Sequence, residues 1–271
     1  MIDIGVNLIN SQFHGQEKKI VDNAFNEGVK GIIFTGTTVK SIQGSYDFIQ
    51  QFYPERCALT SGMHPHNAKD WKEQRHIVKS YAKKDKVIAV GECGLDYDRM
   101  YSTKAEQHYA FEEQLAFALE LNKPVFLHLR PHYENDTDTA MQDFKKIITP
   151  YIEQGLKGVV HCFTGNRSML DTILDMDLYI GITGWVSDPK RGTELKELIP
   201  FIPDNRLLIE TDSPYLKPKH VKAIKSTRIN EPAYLKYIAQ YLADLKKTDI
   251  QTLSELTNDN VYNLFKWNPV L

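Results

Sequence analysis

The stretch VIAVGECGLDYD, residues 87–98, begins as an apolar strand and then places two carboxylates, Glu92 and Asp96, among glycines and a cysteine. Its first four residues are apolar without alternation, which is typical of a strand that is buried on both faces in a parallel sheet. The stretch therefore predicts a core strand whose end carries a functional carboxylate.

Eight short apolar segments of this kind, rich in β-branched residues, recur at fairly even spacing. We predict strands at residues 2–6, 31–36, 57–63, 86–92, 124–128, 158–163, 178–184 and 206–212. The segments between them have helical periodicity, as in residues 102–121, where Phe111, Leu115 and Ala118 fall on one face. Eight alternations of strand and helix predict an α/β fold, a (β/α)8 TIM barrel. A doubly wound open sheet is the alternative, but no G-x-G-x-x-G loop follows the first strand and no P-loop is present.

The composition is that of an ordinary globular protein and narrows the classes of function. With 33 Lys and Arg against 35 Asp and Glu, the chain is not a general polyanion-binding protein, so a nucleic-acid site would need a local positive cleft. Three cysteines without paired spacing indicate a reducing compartment. Neither a signal-peptide pattern nor a run of about 18 apolar residues is present. We therefore expect a full-length cytoplasmic protein with a single domain over residues 1–271 and no membrane association.

Imidazole and carboxylate side chains follow five of the predicted strands, at the end where barrel enzymes carry their active sites. They are His64, His66, Glu92, His128, His161 and Asp212. Any one of them is readily explained as a structural group or a salt-bridge partner, but five strands that end in this way are harder to attribute to chance. Imidazole with carboxylate suits Zn²⁺, Mn²⁺ or Fe²⁺, and a carboxylate-rich site with bound water suits Mg²⁺. The pattern predicts a divalent-metal site at one rim of the barrel.

Two of these carboxylates are assigned catalytic roles. Glu92 is expected to hold or bridge metal ions at the end of the fourth strand, where Gly91 and Gly94 let the backbone turn sharply. Asp212 is expected to be a metal ligand and the general base for an activated water.

Neighbouring polar residues are assigned supporting roles. Glu210 is expected to lie one pleat deeper than the rim and to orient a ligand or pair inside the barrel. Asp96 is expected to cap or orient Arg99 or a ligand histidine. Cys93 and Cys162 adjoin candidate ligands, but alternation along a strand turns them to the opposite face, so both are expected to pack in the core.

Residues near the strand ends also suggest a charged, flat substrate. Arg130 lies two positions beyond His128 and is expected to bind a phosphate, with a surface salt bridge as the alternative. Five aromatic residues lie just past strand ends, of which Trp185 and Tyr215 are the stronger candidates for stacking on bases; the others are Tyr97, Tyr133 and Phe163. A basic run follows the eighth strand, and it comprises Lys217, Lys219, Lys222, Lys225 and Arg228.

Eight motifs occur in order along the chain: MIDIGVNL, GMHPH, GECGLDYDR, PVFLHLR, VVHCFTG, YIGITGW, LLIETDSPYL and RINEP. In this combination the sequence resembles the TatD family of metal-dependent deoxyribonucleases, from residue 1 to about residue 265. The resemblance implies a barrel of the metallo-dependent hydrolase type, magnesium-dependent hydrolysis of DNA, and exonuclease action from the 3′ end of single strands. It also implies that DNA is the partner, and no obligate protein partner is evident.

The resemblance further implies that Glu92, His128, His161 and Asp212 bind the metal, with His64 as an additional site residue. Many relatives begin with an Asp-x-His-x-His strand that supplies two more histidines, whereas this chain has Asp-Ile-Gly-Val-Asn at residues 3–7. Asn7 offers only a neutral amide oxygen, and His66 is a candidate substitute.

Two other functions are compatible with the same residues. A metal-dependent ester or amide hydrolase, such as a deacylase that acts on charged tRNA, could use the same site, because fold and metal do not fix the substrate. The second alternative is a binding module, a barrel that has lost catalytic turnover. The missing first-strand histidines favour this alternative. Retention of all four implied metal ligands argues against it.

Overall fold

The computed structural model describes residues 1–132 and 137–269. The strands of this part of the chain are β1 (Ile2–Val6), β2 (Gly31–Phe34), β3 (Cys57–Ser61), β4 (Val87–Asp96), β5 (Val125–Arg130), β6 (Gly158–Val160), β7 (Tyr179–Ile182) and β8 (Leu207–Ile209). The α-helices are α1 (Glu17–Asn26), α2 (Val39–Phe52), α3 (Trp71–Ala82), α4 (Lys104–Glu120), α5 (Thr137–Ile152), α6 (Arg167–Asp175), α7 (Thr193–Leu198), α8 (Leu235–Lys246) and α9 (Ile250–Phe265).

The eight strands form one parallel sheet in chain order, from β1 to β8. The sheet curls back on itself, because a parallel bridge joins Val6 of β1 to Ser213, which follows β8. The backbone N–H of Asp212 donates to the carbonyl of Gly5 at 2.8 Å, and the N–H of Asn7 donates to the carbonyl of Ser213 at 2.9 Å. The predicted (β/α)8 barrel is confirmed, and the open doubly wound sheet is not observed.

Several helices begin at residues whose side chains accept a hydrogen bond from the first turn. Thr38 and Ser41 form a reciprocal capping box at the start of α2, and Thr103 and Glu106 form another at the start of α4. These polar caps fix where the loops after β2 and β4 end and where α2 and α4 begin. Among the described residues, no helix combines the length and the apolar character needed to cross a membrane.

The core has two layers that locate the open end of the barrel. Every strand contributes to an inner cluster, with two residues from β1 and one from each other strand: Ile2, Ile4, Ile33, Ala58, Ala89, Phe126, Val159, Tyr179 and Leu208. Val261, Leu264 and Phe265 of α9 pack against this inner cluster. A second and larger cluster lies between the strands and the surrounding helices. The helix α9 therefore closes one end of the barrel, and the loops that follow the strands surround the other end.

The prediction that the fourth strand ends at Glu92, with Gly91 and Gly94 turning the backbone sharply there, was wrong. The strand β4 continues to Asp96, and its register against β5 shifts between Gly91 and Cys93. Both glycines have positive φ, +139° and +144°, a region that side-chain-bearing residues avoid. A Cβ atom on Gly94 would lie 1.9 Å from the carbonyl oxygen of His128. The glycines thus allow two strands to approach closely, and Glu92 lies in an irregular part of the strand instead of at its end.

Five other strands, β2, β3, β6, β7 and β8, end two or three residues earlier than predicted, and the early ends of β6 and β8 affect residues of the site. The strand β6 ends at Val160, so His161 is the first residue after it, and β8 ends at Ile209, so Asp212 lies in the following loop. Cys162 and Asp212 both have positive φ, +46° and +52°. These backbone conformations break the strand alternation from which their side-chain directions were predicted.

Asp3 connects the first and last strands where the barrel closes. It is fully buried, and its carboxylate accepts hydrogen bonds from the N–H of Gly5 at 3.2 Å, the N–H of Thr211 at 2.9 Å and the Thr211 hydroxyl at 2.6 Å. We expect Asp3→Ala to lower the free energy of unfolding by about 3 kcal/mol, because buried donors would lose their acceptor. Urea denaturation followed by circular dichroism measures this loss.

Asp259→Ala is the matched control, because Asp259 is exposed on α9. It is expected to change the free energy of unfolding by about 0.5 kcal/mol or less. Equal urea midpoints for Asp3→Ala and the wild type would contradict a stabilising role for Asp3 in barrel closure.

Gly94→Ala tests the close approach of β4 and β5. We expect a fall in melting temperature well beyond that of Gly155→Ala, because only the alanine at position 94 would collide with backbone. Gly155 also has positive φ, +96°, but a Cβ atom added there would have no heavy atom of the described residues within 4 Å. The melting temperatures are measured by differential scanning fluorimetry. Equal values for the two variants would show that glycine is needed at position 94 only for its positive φ and not for the close approach of the two strands.

Candidate metal centre

The open end of the barrel contains a cavity of about 510 Å³. All of the side chains predicted from the sequence to form the site line it: Asn7, His64, His66, Glu92, His128, Arg130, His161, Trp185, Asp212 and Tyr215. They follow different strands and meet because parallel strands point their carboxyl ends to one rim. Their roles as ligands, catalytic groups or substrate contacts stay predictions.

Glu92 is the centre of the cluster. Its Oε1 atom lies 2.7 Å from Nδ1 of His128, 2.8 Å from Nε2 of His161 and 3.1 Å from Nε2 of His64. The candidate ligand atoms of His64, Glu92 and His128 all lie within 4.8 Å of one another, a spacing that could hold a metal ion. A buried carboxylate surrounded by imidazole nitrogens is a donor set that suits divalent transition metals.

The electrostatics of the cluster favour a charged carboxylate. Burial alone would raise the pKa of Glu92, but the imidazoles of His161 and His64 and hydrogen bonds from His128 and His161 hold that pKa well below its usual value. Burial would lower the pKa of His161, but the carboxylates of Glu92 and Glu210 raise it well above the usual range. Burial lowers the pKa of His64 to about 4. The lowered pKa of Glu92 favours its charged form, which attracts positive charge to this position.

Asp212 lies on the β1 and β8 side of the cavity. Its Oδ1 atom accepts a hydrogen bond from the side-chain amide of Asn7 at 2.8 Å. Loss of solvation raises the pKa of Asp212 to about 7; His161 opposes this shift, and the nearby carboxylates of Glu210 and Glu92 add to it. Three carboxylates share this part of the site, so added positive charge would stabilise their ionised forms.

Asp96 was expected to orient Arg99 or a histidine, and it contacts both. Its Oδ2 atom lies 2.7 Å from Nε2 of His66 and 3.3 Å from Nε2 of His128, while Oδ1 accepts the backbone N–H of Arg99 at 2.8 Å. Burial would raise the pKa of Asp96, but hydrogen bonds from His128 and His66 lower it well below the usual value. His128 is thereby held between two carboxylates, Glu92 and Asp96. His66 is the candidate substitute for a missing first-strand histidine. Through its contact with Asp96 it lies on the side of the cavity formed by β3 and β4.

Glu210 contacts His161 from inside the barrel, in the orienting role that was expected of it. It is fully buried, its Oε2 atom lies 3.3 Å from Nδ1 of His161, and its Oε1 atom accepts the backbone N–H of Cys162 at 2.5 Å. A Cβ atom on Gly5 would lie 2.2 Å from Oε2 of Glu210. Gly5 occupies the position of the first histidine of the Asp-x-His-x-His pattern, and here Glu210 fills the space beside it.

The expectation for the cysteines was half right. Cys93 is fully buried in the larger core cluster, but Cys162 lines the cavity. The positive φ of Cys162 turns the chain just after β6, so the alternation of a regular strand does not apply to it. This backbone feature carries no signal in the sequence, because Cys162 is neither glycine nor asparagine.

Three arginines line the cavity: Arg99, Arg130 and Arg191. The guanidinium of Arg130 lies 2.7 Å from Oδ2 of Asp98, and Nε of Arg99 lies 3.7 Å from the same oxygen. Arg99 was not predicted as a substrate contact. The lining also includes Thr37, Asn67 and Thr164, which no sequence pattern singled out.

The aromatic candidates separate into two groups. The indole N–H of Trp185 donates to the carbonyl of Arg191 at 3.1 Å, and the Arg191 guanidinium lies 4.0 Å from the Trp185 ring centroid. The hydroxyl of Tyr215 accepts from Asn10 at 2.8 Å, and 47% of Tyr215 is exposed. By contrast, Tyr97 and Phe163 are buried and unsuited to stacking on a substrate. Tyr133 lies outside the described residues.

The basic run after β8 is only partly directed outward. The Lys217 ammonium donates to the carbonyls of Ile224, at 3.0 Å, and Thr227. Lys217 therefore stabilises its own loop, and its ammonium group is turned toward the carbonyls of that loop. Arg191 is a cavity-lining cation instead, and Asp188 pairs with it at 2.9 Å.

Comparison with known proteins places this geometry in a family. A family model described as TatD related DNase matches residues 2–266. A 3′-5′ ssDNA/RNA exonuclease TatD from Pectobacterium parmentieri is 44% identical over 270 residues, which cover 98% of this chain and 99% of that protein. A protein of the same name from Salmonella typhimurium is 42% identical over 267 residues, which cover 98% of this chain and 99% of that protein.

A solved structure agrees with the fold. The crystal structure of a TatD family hydrolase from Entamoeba histolytica matches with a TM-score of 0.84 and 26% identity, covering 100% of this chain and 98% of that chain. The matches extend from the first strand to the last helix and include every strand that contributes to the cavity. The chain therefore belongs to the TatD-related DNase family.

Proposed function

We propose that the protein is a metal-dependent exonuclease that hydrolyses phosphodiester bonds from the 3′ end of single-stranded DNA and RNA. The observation that carries this proposal is the convergence of His64, His128 and His161 on one oxygen of Glu92 in a chain of this family. The relatives from Pectobacterium parmentieri and Salmonella typhimurium, which bear the corresponding name, supply the polarity and the single-stranded substrates.

The residues present fit a divalent ion. We propose that Glu92, His128, His161 and Asp212 hold it, with His64, His66 and Asn7 as further members of the site. A bound divalent ion lowers the pKa of a water molecule and neutralises charge that develops on the attacked phosphate. Mg²⁺ is the proposed ion from the family resemblance, with Mn²⁺ and Zn²⁺ as the ions to compare.

The side chains of this protein supply the remaining steps. Asp212 accepts the proton of the attacking water, and Asn7 fixes the orientation of the Asp212 carboxylate through its hydrogen bond at 2.8 Å. Asp96 and Glu92 hold the His128 ring from opposite sides, and Glu210 holds that of His161. These contacts keep the rings in place, so that little reorganisation is needed when substrate binds.

Substrate contacts lie at the edge of the same cavity. Arg130 and Arg99 are placed to bind phosphate oxygens, for which guanidinium groups are well suited. Trp185 and Tyr215 offer flat surfaces for unpaired bases. Together these groups suit a flexible single strand, whose bases are free to stack.

A hydrolase of esters or amides, such as a deacylase that acts on charged tRNA, is not favoured. The relatives carry nuclease names, and the arginines at the cavity match a phosphodiester better than a neutral ester. A barrel without turnover is disfavoured by the intact cluster around Glu92.

We also propose that residues 1–271 act as one catalytic domain. The family model extends over residues 2–266, and α9 packs against the inner cluster that all strands share. The proposed site also joins distant parts of the sequence, because Asn7 forms a hydrogen bond with Asp212.

One experiment tests activity, metal and polarity together. Single-stranded oligonucleotides labelled at either the 3′ or the 5′ end are incubated with the protein and Mg²⁺, Mn²⁺, Zn²⁺ or a chelator. We expect a 3′ label to be released as a mononucleotide and a 5′ label to form a ladder that shortens with time, with Mg²⁺ but not with chelator. A 5′ label released first would contradict the polarity.

Glu92→Gln is expected to reduce kcat by at least about 100-fold and to weaken metal binding, because the central anion is lost. Turnover of a labelled oligonucleotide measures the first effect, and isothermal titration calorimetry with Mn²⁺ measures the second. Glu55→Gln is the control, since Glu55 is exposed after α2. A Glu92→Gln variant with parental turnover would exclude Glu92 from the metal centre.

Arg130→Ala is expected to raise KM at least about 10-fold with a smaller change in kcat, because a charge-assisted hydrogen bond to phosphate is lost. The slope of log KM against log salt concentration should fall by about 1, because one phosphate contact is lost. Arg75→Ala is the matched control, because Arg75 forms a comparable ion pair with Glu113 at 2.8 Å on the outer helices. An unchanged KM and salt slope for Arg130→Ala would show that Arg130 only pairs with Asp98.

A further inference from the structure

The loop between β4 and α4 carries an aromatic ring that is used neither by the core nor by the proposed metal centre. Tyr101 is 59% exposed, the largest exposed fraction among the large hydrophobic side chains of the described residues. Its ring centroid lies 4.8 Å from that of His66, with the ring planes at 78°. His66 lines the cavity and contacts Asp96. Tyr101 therefore stands at the edge of the cavity with most of its surface available.

Hydrogen bonds hold the loop on both sides of Tyr101. The buried amide of Gln107 accepts the backbone N–H of Asp96 at 2.8 Å and donates to the carbonyls of Asp96, at 3.0 Å, and Ser102, at 2.9 Å. The Ser102 hydroxyl donates to the carbonyl of His66 at 3.1 Å. An exposed ring on a fixed loop binds a ligand at lower entropic cost than a ring on a flexible one.

The position of Tyr101 in the barrel is opposite the other rim aromatics. His66 follows β3 and Tyr101 follows β4, whereas Trp185 follows β7 and Tyr215 follows β8. In a barrel of eight strands in chain order, strands four places apart lie across the axis from each other. Aromatic surfaces therefore occur on both sides of the Glu92 cluster.

A phosphodiester that is held by a divalent ion at the Glu92 cluster would extend in two directions, and each direction leads to a nucleoside. Building on the proposed nuclease function, we propose that Tyr101 is a stacking platform for an unpaired nucleobase, on one of the two 3′-terminal nucleotides that flank the scissile phosphate. Arg99 belongs to the same loop and lines the cavity, so it can contact a phosphate while Tyr101 contacts a base. Stacking of this kind is tolerant of base identity and suits DNA and RNA alike.

Binding without turnover gives the first test. The Kd of a short 5′-fluorescein-labelled single-stranded DNA with phosphorothioate linkages at its 3′ end, which resist hydrolysis, is measured by fluorescence anisotropy in Mg²⁺. We expect Tyr101→Ala to raise the Kd about 5- to 100-fold, the usual loss for one stacked base, and Tyr101→Phe to restore tight binding because it keeps the ring. Tyr262→Ala is the matched control, because Tyr262 is 54% exposed on α9 at the closed end of the barrel.

Abasic nucleotides give the second test. A reduced abasic site replaces either the last or the penultimate nucleotide at the 3′ end, and each substrate is bound to the wild type and to Tyr101→Ala. We expect the effect of Tyr101→Ala to disappear with one of the two abasic substrates, because the base that stacks on the ring is then absent. An effect that persists with both substrates would overturn the proposal, and so would equal Kd values for Tyr101→Ala and the wild type.

The two proposals fail in different ways. If the wild type with Mg²⁺, Mn²⁺ or Zn²⁺ hydrolyses no single-stranded DNA or RNA, the nuclease function fails and the stacking site fails with it. If the wild type is active and Tyr101→Ala keeps the wild-type KM, only the stacking site fails. Tyr101 is exposed, so its variants should keep the wild-type melting temperature; Tyr101→Leu replaces the alanine variant if that temperature falls.

Discussion

One carboxylate oxygen in contact with imidazole nitrogens from three different parts of the chain is the constraint on which the site depends. Oε1 of Glu92 lies within 3.1 Å of His64, His128 and His161. A buried anion of this kind is costly unless opposite charge or donors surround it, and the imidazoles supply these. The position of Glu92 depends in turn on the irregular stretch of β4, where glycine lets the backbone approach β5 closely. Strand packing and site chemistry therefore have the same cause.

The fold and the gathering of the candidate site residues at one cavity were predictable from the sequence, because both follow from repeated patterns. Apolar strands that alternate with helices fix a parallel barrel, and parallel strands bring their carboxyl ends to one rim. Glu92, His128 and Asp212 could therefore be placed at one cavity from their positions after apolar runs. The contacts of Asp96 with both His66 and His128 were only partly predictable, because the fourth strand was expected to end at Glu92, before Asp96. A glycine predicts positive φ but does not reveal whether the strand turns away or continues past it.

The first strand shows how a missing pair of histidines is compatible with an ordered site. Gly5 leaves room for the Glu210 carboxylate, which bonds the backbone of Cys162 and contacts His161. Asn7 instead bonds Asp212 across the point where the barrel closes. Gly5 thus makes room for a carboxylate that follows β8, and Asn7 orients another. Sequence spacing could not reveal this arrangement, because Glu210 and Gly5 are far apart in the chain and are related only by closure of the sheet.

The charges at the rim explain how a nearly neutral chain can bind a polyanion selectively. Arg130 pairs with Asp98 at 2.7 Å, and Arg191 pairs with Asp188 at 2.9 Å, so neither guanidinium presents an unopposed charge. A phosphate must therefore compete with an aspartate for each arginine, which weakens long-range attraction for any polyanion. Under the proposed function, a strand whose scissile phosphate binds beside the Glu92 cluster would gain additional contacts from the flat rings at the rim. The proposed selectivity for single strands would then come from close contacts at the cavity, because base-paired nucleotides cannot offer their faces to those rings.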